Sequence, residues 1–412
     1  MQYREKTSGY AWVVVGLLWV VALLNYMDRQ ILSTLRPAMQ IDIAELESAR
    51  VFGNLMAVFL WIYAFMSPVS GLISDRFNRK HVIVFSLFVW SAVTLLMGFS
   101  TNLTELMILR SVMGVSEAMY IPAALALIAD YHSDRTRSLA IGIHMTGLYM
   151  GQALGGFGGT IAEDHSWHVV FKVFGLVGVV YAFVLLLALK EVPNRFKSTI
   201  ADTAPRNNSS IFRVLGLLFS NISFWVILFY FAIPSLPGWA TKNWLPTLFA
   251  ENLHLPMSTA GPLSTITIAA SSFIGVILGG ILSDKWVIKN IRGRIYTSAI
   301  GLLLTVPSIL LIGFSHQVWA IVGAGILFGI GFGMFDANNM PILCQFVNKE
   351  HRATAYGIMN FVGVLSGALI TNILGASAEQ GDLGNDFALL AFIVLFVIIV
   401  QLLTLKPKTR EI

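Results

Sequence analysis

Cysteine is nearly absent: Cys344 is the only one among 412 residues, so no disulfide within the chain can brace the fold. Charge is scarce as well. Asp, Glu, Lys and Arg make up 12% of the residues, too few to solvate a globular domain of this length. The eight histidines are scattered and fall mostly between apolar runs, and no two share helical spacing with a carboxylate in a way that suggests a metal site. No nucleophile stands beside a base, so the sequence offers no candidate for an enzyme working inside a membrane. Glycine-rich stretches such as Gly151 to Gly159 and Gly323 to Gly333 follow no strand and lack the lysine and serine of a phosphate loop. They predict close helix packing instead.

What is abundant is apolar sequence: 56% of the residues are hydrophobic and the mean hydropathy is +0.74. Runs long enough to cross a bilayer fall near residues 10–36, 51–74, 82–99, 103–129, 138–161, 168–189, 222–249, 260–283, 295–314, 317–346, 353–377 and 387–405. The predicted fold is therefore an all-α polytopic membrane protein with twelve transmembrane helices. The first run is too long for a cleavable signal peptide and carries charge near its middle. The net charge of +5 does not point to nucleic acid, because most of the 27 basic residues sit in alternate loops. The positive-inside rule then places both termini in the cytoplasm of a plasma membrane. The opposite loops carry Asp42, Glu45, Glu47, Glu163, Asp164, Glu251, Glu379 and Asp382.

The longest polar connection, residues 190–220, contains Pro193 and Pro205 and ends in a short interfacial helix at Ile211 to Phe219. It separates an N-terminal bundle of six spans (1–189) from a C-terminal one (221–412). The two repeat each other. Gly71-Leu72-Ile73-Ser74-Asp75-Arg76-Phe77-Asn78-Arg79-Lys80 after span 2 matches Gly280-Ile281-Leu282-Ser283-Asp284-Lys285 after span 8, and Arg137 to Gly142 matches Arg352 to Gly357 at an offset of 215. Duplicated halves are a mark of secondary transporters with a midplane site. The Gly71 to Lys80 signature resembles the loop motif of the major facilitator superfamily, with Asn78 where that family usually has glycine. The resemblance implies two pseudo-symmetric six-helix bundles, with Asp75, Arg76 and Asp284 in a cytoplasmic gate.

Two charges stand out inside span 4. A charge at the centre of a membrane helix costs roughly 2.5 to 3.5 kcal/mol, so Arg110 and Glu117 are expected to face a cavity or a partner. Seven residues apart, they share one helix face about 10 Å from each other along the axis, with Gly114 between them leaving the backbone open to close approach. The offset of 215 sets Gly325 against Arg110, Gly329 against Gly114 and Phe332 against Glu117, so the glycine recurs and the charges do not. Span 1 carries Asn25-Tyr26-Met27-Asp28-Arg29-Gln30. Asp28 and Arg29 point about 100° apart and need separate partners, whereas Tyr26 and Arg29 share a face. Arginine suits a planar anion because its fork gives a carboxylate two parallel hydrogen bonds.

The span 1 and span 4 patterns together resemble the anion:cation symporter branch, which includes transporters of hexuronates, aldonates and sialic acid. That resemblance implies that Arg29 and Arg110 contact the substrate carboxylate with Tyr26 assisting, while Asp28 and Glu117 take up protons. The same residues also resemble the spinster-like lysolipid transporters, where the arginines would hold a phosphate. Lys242, Asn243 and Trp244 in span 7 with Asp336, Asn338, Asn339 and Gln345 in span 10 suggest a polar wall suited to a sugar. Asn338 and Asn339 are equally readable as glue between helices, and His144 as a cavity or a core residue. The expectation is a symporter importing a small organic anion, an acidic sugar first, with no cofactor beyond a coupling ion. That ion is a proton or sodium, though no cluster of sodium ligands stands out. A monomer in a bacterial membrane suffices. A sensor that binds without transporting is the alternative from another class, and it leaves the duplicated gate motif without a purpose.

Overall fold

The computed structural model describes residues 9–132, 136–190, 211–347 and 352–407, with the backbone alone at 71, 72, 74–76, 138, 211–214 and 353. Within these the N-terminal half contains α1 (Gly9–Leu32), α2 (Arg36–Asp42), α3 (Ala49–Arg76), α4 (Arg79–Met97), α5 (Leu103–Ala118), α6 (Tyr120–Tyr131), α7 (Arg137–Gly155), α8 (Gly158–Asp164) and α9 (Trp167–Ala188). The C-terminal half contains α10 (Ile211–Phe219), α11 (Ile222–Leu253), α12 (Met257–Lys289), α13 (Gly293–Phe314), α14 (Val318–Asp336), α15 (Asn339–Cys344), α16 (Arg352–Gln380) and α17 (Leu383–Thr404). Short polar residues start many of them. Ser48, Asn78, Asn102 and Ser166 each accept a hydrogen bond from the backbone N–H three residues on, which satisfies an orphan donor of the first turn.

Eleven helical segments among the described residues are long and apolar enough to cross a membrane, with α5 and α6 counted as one, and α14 and α15 as another. The expected span at residues 138–161 is the one that differs from its prediction. It is divided into α7 and α8 at Gly156 and Phe157, and His144, Gln152 and seven glycines dilute its hydropathy. The break has a packing cause. A Cβ on Gly156 would stand 1.9 Å from the Thr265 hydroxyl and 2.9 Å from the Gly261 carbonyl of α12. Span 4 breaks at Met119 and span 10 at Ala337 and Asn338.

Glycine also sets how near α1 lies to α7. Gly147, Gly151 and Gly155 lie against the carbonyls of Trp19, Leu23 and Met27, at distances only a residue without Cβ tolerates. In the C-terminal half Gly325, Gly329 and Gly333 seat α14 on Thr267, Ser271 and Ser272 of α12. Two seams join the bundles. One runs along α3 and α16: Ser48 donates to Glu379 (3.0 Å), Gly53 meets Gly375, the Asn372 amide donates to Asn54 (2.5 Å), Trp61 donates to Asn372 (3.1 Å), and Asn360 donates to Ser67 (3.1 Å). The other joins α7 and α8 to α12 through Thr265 to Ala153 (3.1 Å) and Thr160 to Ser258 (2.7 Å). Both seams are tight at the end that carries the turn between α11 and α12, so the cavity between the bundles is closed there.

Candidate functional site

The last turns of α1 deliver the charged segment between the two bundles, below the closed end. Asp28 and Arg29 part as adjacent helical positions must: Asp28 turns into the bundle, where the Thr94 hydroxyl of α4 lies 3.4 Å from its Oδ2, and Arg29 turns toward α5. Thr94 has one proton and a shorter bond to the Trp90 carbonyl (3.0 Å), so Asp28 lacks a full donor, and its Oδ1 has no partner among the described residues.

Arg29 supplies the partner of Glu117. Its Nε donates to Oε2 at 2.6 Å, and the Asn25 amide donates to the same oxygen at 3.0 Å. Glu117 is fully buried, and among the described residues its Oε1 has no partner and Arg29, which retains 12% of its side-chain exposure, has an Nη2 with no acceptor. Arg110 holds no carboxylate among the described residues. Its Nη1 meets only the Met113 sulfur at 3.3 Å, and its Nε has no partner. The expected shared face of Arg110 and Glu117 is real, but two helical turns separate them and α1 reaches Glu117 first.

Aromatic rings complete the cradle. The Arg29 guanidinium lies 5.0 Å from the Tyr26 ring, 4.6 Å from Tyr63 and 5.1 Å from Phe59, and Arg110 lies 4.7 Å from the same Phe59 ring. One ring thus serves two cations. Phe59 and Tyr63 were not legible as site residues, because they are two apolar-looking positions in a long apolar helix. Their signal is Gly114. A Cβ there would stand 2.8 Å from the Phe59 carbonyl and 3.2 Å from the Tyr63 nitrogen, so the backbone it leaves open is occupied by α3, which brings those rings over the arginines. At the corresponding place in the other half, Phe332 fills the space over Gly238 of α11.

Of the expected C-terminal wall, Lys242 faces the cavity, with Nζ 4.7 Å from the Trp239 ring and 6.0 Å from Tyr26. Asn339 donates to Asp336 at 3.2 Å, and Asp336 is exposed to the cavity. Asn338, readable as ligand contact or as glue between helices, is bonded within its own span. It is fully buried, and its amide donates back to the Met334 carbonyl at 2.8 Å, where it supports the break between α14 and α15. Asn243 and Trp244 are likewise committed, both to Thr371 of α16. His144 is a core residue, bonded at 2.9 Å to a Tyr120 hydroxyl that itself donates to the Leu18 carbonyl.

Of the expected gate residues, the side chains of Asp75 and Arg76 lie outside the described residues. Asp284 is mostly exposed and stands 3.8 Å from Arg294 within its own bundle. Arg79, which lies 215 residues before Arg294, pairs with Asp130 in the other half.

The pattern described as Major Facilitator Superfamily matches residues 18–371. The chain is 26% identical over 405 residues to the probable galactarate/D-glucarate transporter GudP of Escherichia coli (strain K12), covering 90% of this chain and 88% of that one. It is 27% identical over 370 residues to protein spinster homolog 1 of Bos taurus, covering 85% and 69%. Its fold is similar to a crystal structure of a bacterial homolog of the human lysosomal transporter Spinster, inward-facing and unoccupied, with a TM-score of 0.79 at 19% identity over 96% of each chain.

Proposed function

Because the chain belongs to the Major Facilitator Superfamily, a superfamily of transporters, we propose that it is a proton-coupled symporter that imports an acidic sugar by alternating access. The substrate class is a hexuronate, a sialate or a related sugar acid. The observation that carries this reading is the arrangement of two arginines, Arg110 buried and Arg29 nearly so, beside one carboxylate: Arg29 is spent on Glu117 at 2.6 Å, while Arg29 Nη2 and Arg110 Nε have no partner among the described residues.

Coupling follows from that geometry. While Glu117 is ionised it holds Arg29. A proton on Glu117 cancels the ion pair, and the freed guanidinium joins Arg110 in presenting two planar forks to a carboxylate. An anion bound at the arginines in turn favours the proton on Glu117, since linkage between two ligands is reciprocal. Asp28 offers a second carboxyl for a proton on the far face of the same turn. The tyrosines and Phe59 exclude water around the forks, which strengthens each electrostatic contact. Lys242 and Asn339 address the sugar from the other bundle. On the distribution of basic residues, both termini lie in the cytoplasm and the closed end faces outward. The similarity to the Escherichia coli protein named for galactarate and glucarate supports an acid-sugar ligand.

The test is thermal stability of the purified protein against acidic sugars, neutral sugars and lysolipids at about pH 5.5 and about pH 7.5, since a ligand of the native state raises apparent stability. Stabilisation by an acidic sugar, greater at the lower pH and absent in Arg110→Ala, is the expected result. Stabilisation by lysolipid alone would instead make the arginines phosphate ligands, as the similarity to spinster proteins would have it, and would overturn the proposal.

A further inference from the structure

The cavity has a second charged wall that the arginine site does not use. Asp336 ends α14 at the break in span 10, and its side chain is exposed although the helix lies inside a membrane segment. That exposure is to the cavity and not to lipid, because the groups in electrostatic reach of its carboxylate come from both bundles: Tyr26 on α1 and Tyr149 on α7, with Tyr230 and Lys242 on α11 and Tyr356 on α16. Among the described residues no cation stands at ion-pair distance from it, and its hydrogen bond comes from the Asn339 amide at 3.2 Å. Lys242 interacts electrostatically with both Arg29 and Asp336, and its ammonium lies over the Trp239 and Tyr26 rings. The two walls are therefore both charged, with two arginines on one bundle and, on the other, a lysine and a carboxylate that accepts from Asn339.

We propose that Asp336 is a specificity-determining residue that fits the far end of the site to the hydroxyl-bearing tail of a monocarboxylic sugar acid and excludes a second carboxylate there. The inference rests on the arginines being the carboxylate site. A sugar hydroxyl has a proton to donate and an ionised carboxylate only accepts, with room for several such bonds. Asn339 Oδ1, buried and without a partner among the described residues, takes a neighbouring hydroxyl. A second carboxylate at the same place would meet a like charge in a confined, poorly screened cavity, which is discrimination by repulsion. This sets the chain apart from the diacids in the name of its Escherichia coli relative.

The experiment compares acids of equal length, gluconate against glucarate and galactonate against galactarate, by ligand-induced stabilisation and by competition for uptake into proteoliposomes. The wild type, Asp336→Asn and Asp336→Ser are run in parallel. The wild type is expected to prefer each monoacid by at least about tenfold. Both variants are expected to lose monoacid affinity with the hydroxyl acceptor and to gain the diacid with the like charge removed, which brings the ratio toward one, and unliganded unfolding at the wild-type temperature shows that they fold. A wild type that takes both members of a pair equally, or variants that leave the ratio unchanged, would overturn the role of Asp336 while the arginine site stands. If no sugar acid binds the wild type at all, the arginine reading fails and this one with it.

Discussion

Arg29→Ala strands a charge. Glu117 is fully buried, its Oε1 has no partner, and without Arg29 its Oε2 keeps only the Asn25 amide at 3.0 Å. Opposite charges 2.6 Å apart attract by about 6 kcal/mol at an effective dielectric of about 20. Much of that offsets desolvation, and removing one member of a buried pair costs about 3 to 5 kcal/mol. Loss of the contacts to Tyr26, Phe59 and Tyr63 adds about 0.5 to 1 kcal/mol each. Glu117→Gln in the same chain removes the stranded charge, so the double variant is expected to recover about 3 kcal/mol relative to the sum of the single ones. The assay is reversible unfolding in mixed micelles near pH 8 and again near pH 5. In Arg29→Ala the lone carboxyl takes a proton as the pH falls, so the coupling is full at the higher pH and shrinks at the lower. Single-variant losses that add to within about 0.5 kcal/mol at both pH values would refute an Arg29–Glu117 pair of structural weight.

The transport readouts follow from the same atoms. Glu117→Gln in proteoliposomes is expected to abolish accumulation driven by a pH gradient while exchange of substrate across the membrane persists; gradient-driven uptake at the wild-type rate would remove Glu117 from coupling. Arg110→Ala should weaken binding of the acid by about 30-fold or more, since a buried charged hydrogen-bond partner is worth about 2 to 5 kcal/mol, with thermal stability in the absence of ligand little reduced. Gly114→Ala forces the Phe59 carbonyl of α3 to retreat by a few tenths of an ångström from a 2.8 Å approach. It should cost about 1 to 3 kcal/mol of stability and loosen both arginines. Gly53→Leu, whose first carbon would stand 3.0 Å from the Gly375 Cα, should hold the α3 and α16 seam open. Transport is then lost with binding retained, and a cysteine placed at Ser48 reacts faster with an aqueous thiol reagent.

The spans were legible because hydropathy over about twenty residues is a strong signal, and the repeat was legible because Arg137 and Arg352 open corresponding spans. The breaks were not. Gly156 ends α7 on account of Thr265 and Gly261, which lie more than a hundred residues away. The charged residues of the site announced themselves by their cost in a membrane, yet their pairing did not, since helical spacing places Arg110 and Glu117 on one face and says nothing of which neighbour reaches that face first. Phe59 and Tyr63 carry no such cost and so no such mark. Asn338 stayed open between two readings because an amide in a membrane helix marks either a ligand or a polar group to satisfy, and here its amide donates to the Met334 carbonyl.

Gln30 follows Arg29 directly, and its amide donates to the Lys242 backbone carbonyl at 2.8 Å. Arg29 of one bundle and Lys242 of the other thus hang from the two ends of one hydrogen bond. Such a cavity is a calliper whose jaws are the bundles. A ligand that touches both sides with Gln30 still bonded has the right span, one too short leaves the jaws unset, and one too long pushes Gln30 off Lys242. Length is measured as opening, and under the proposed function a sugar acid slightly longer than the substrate is the shape of an inhibitor that props the transporter ajar.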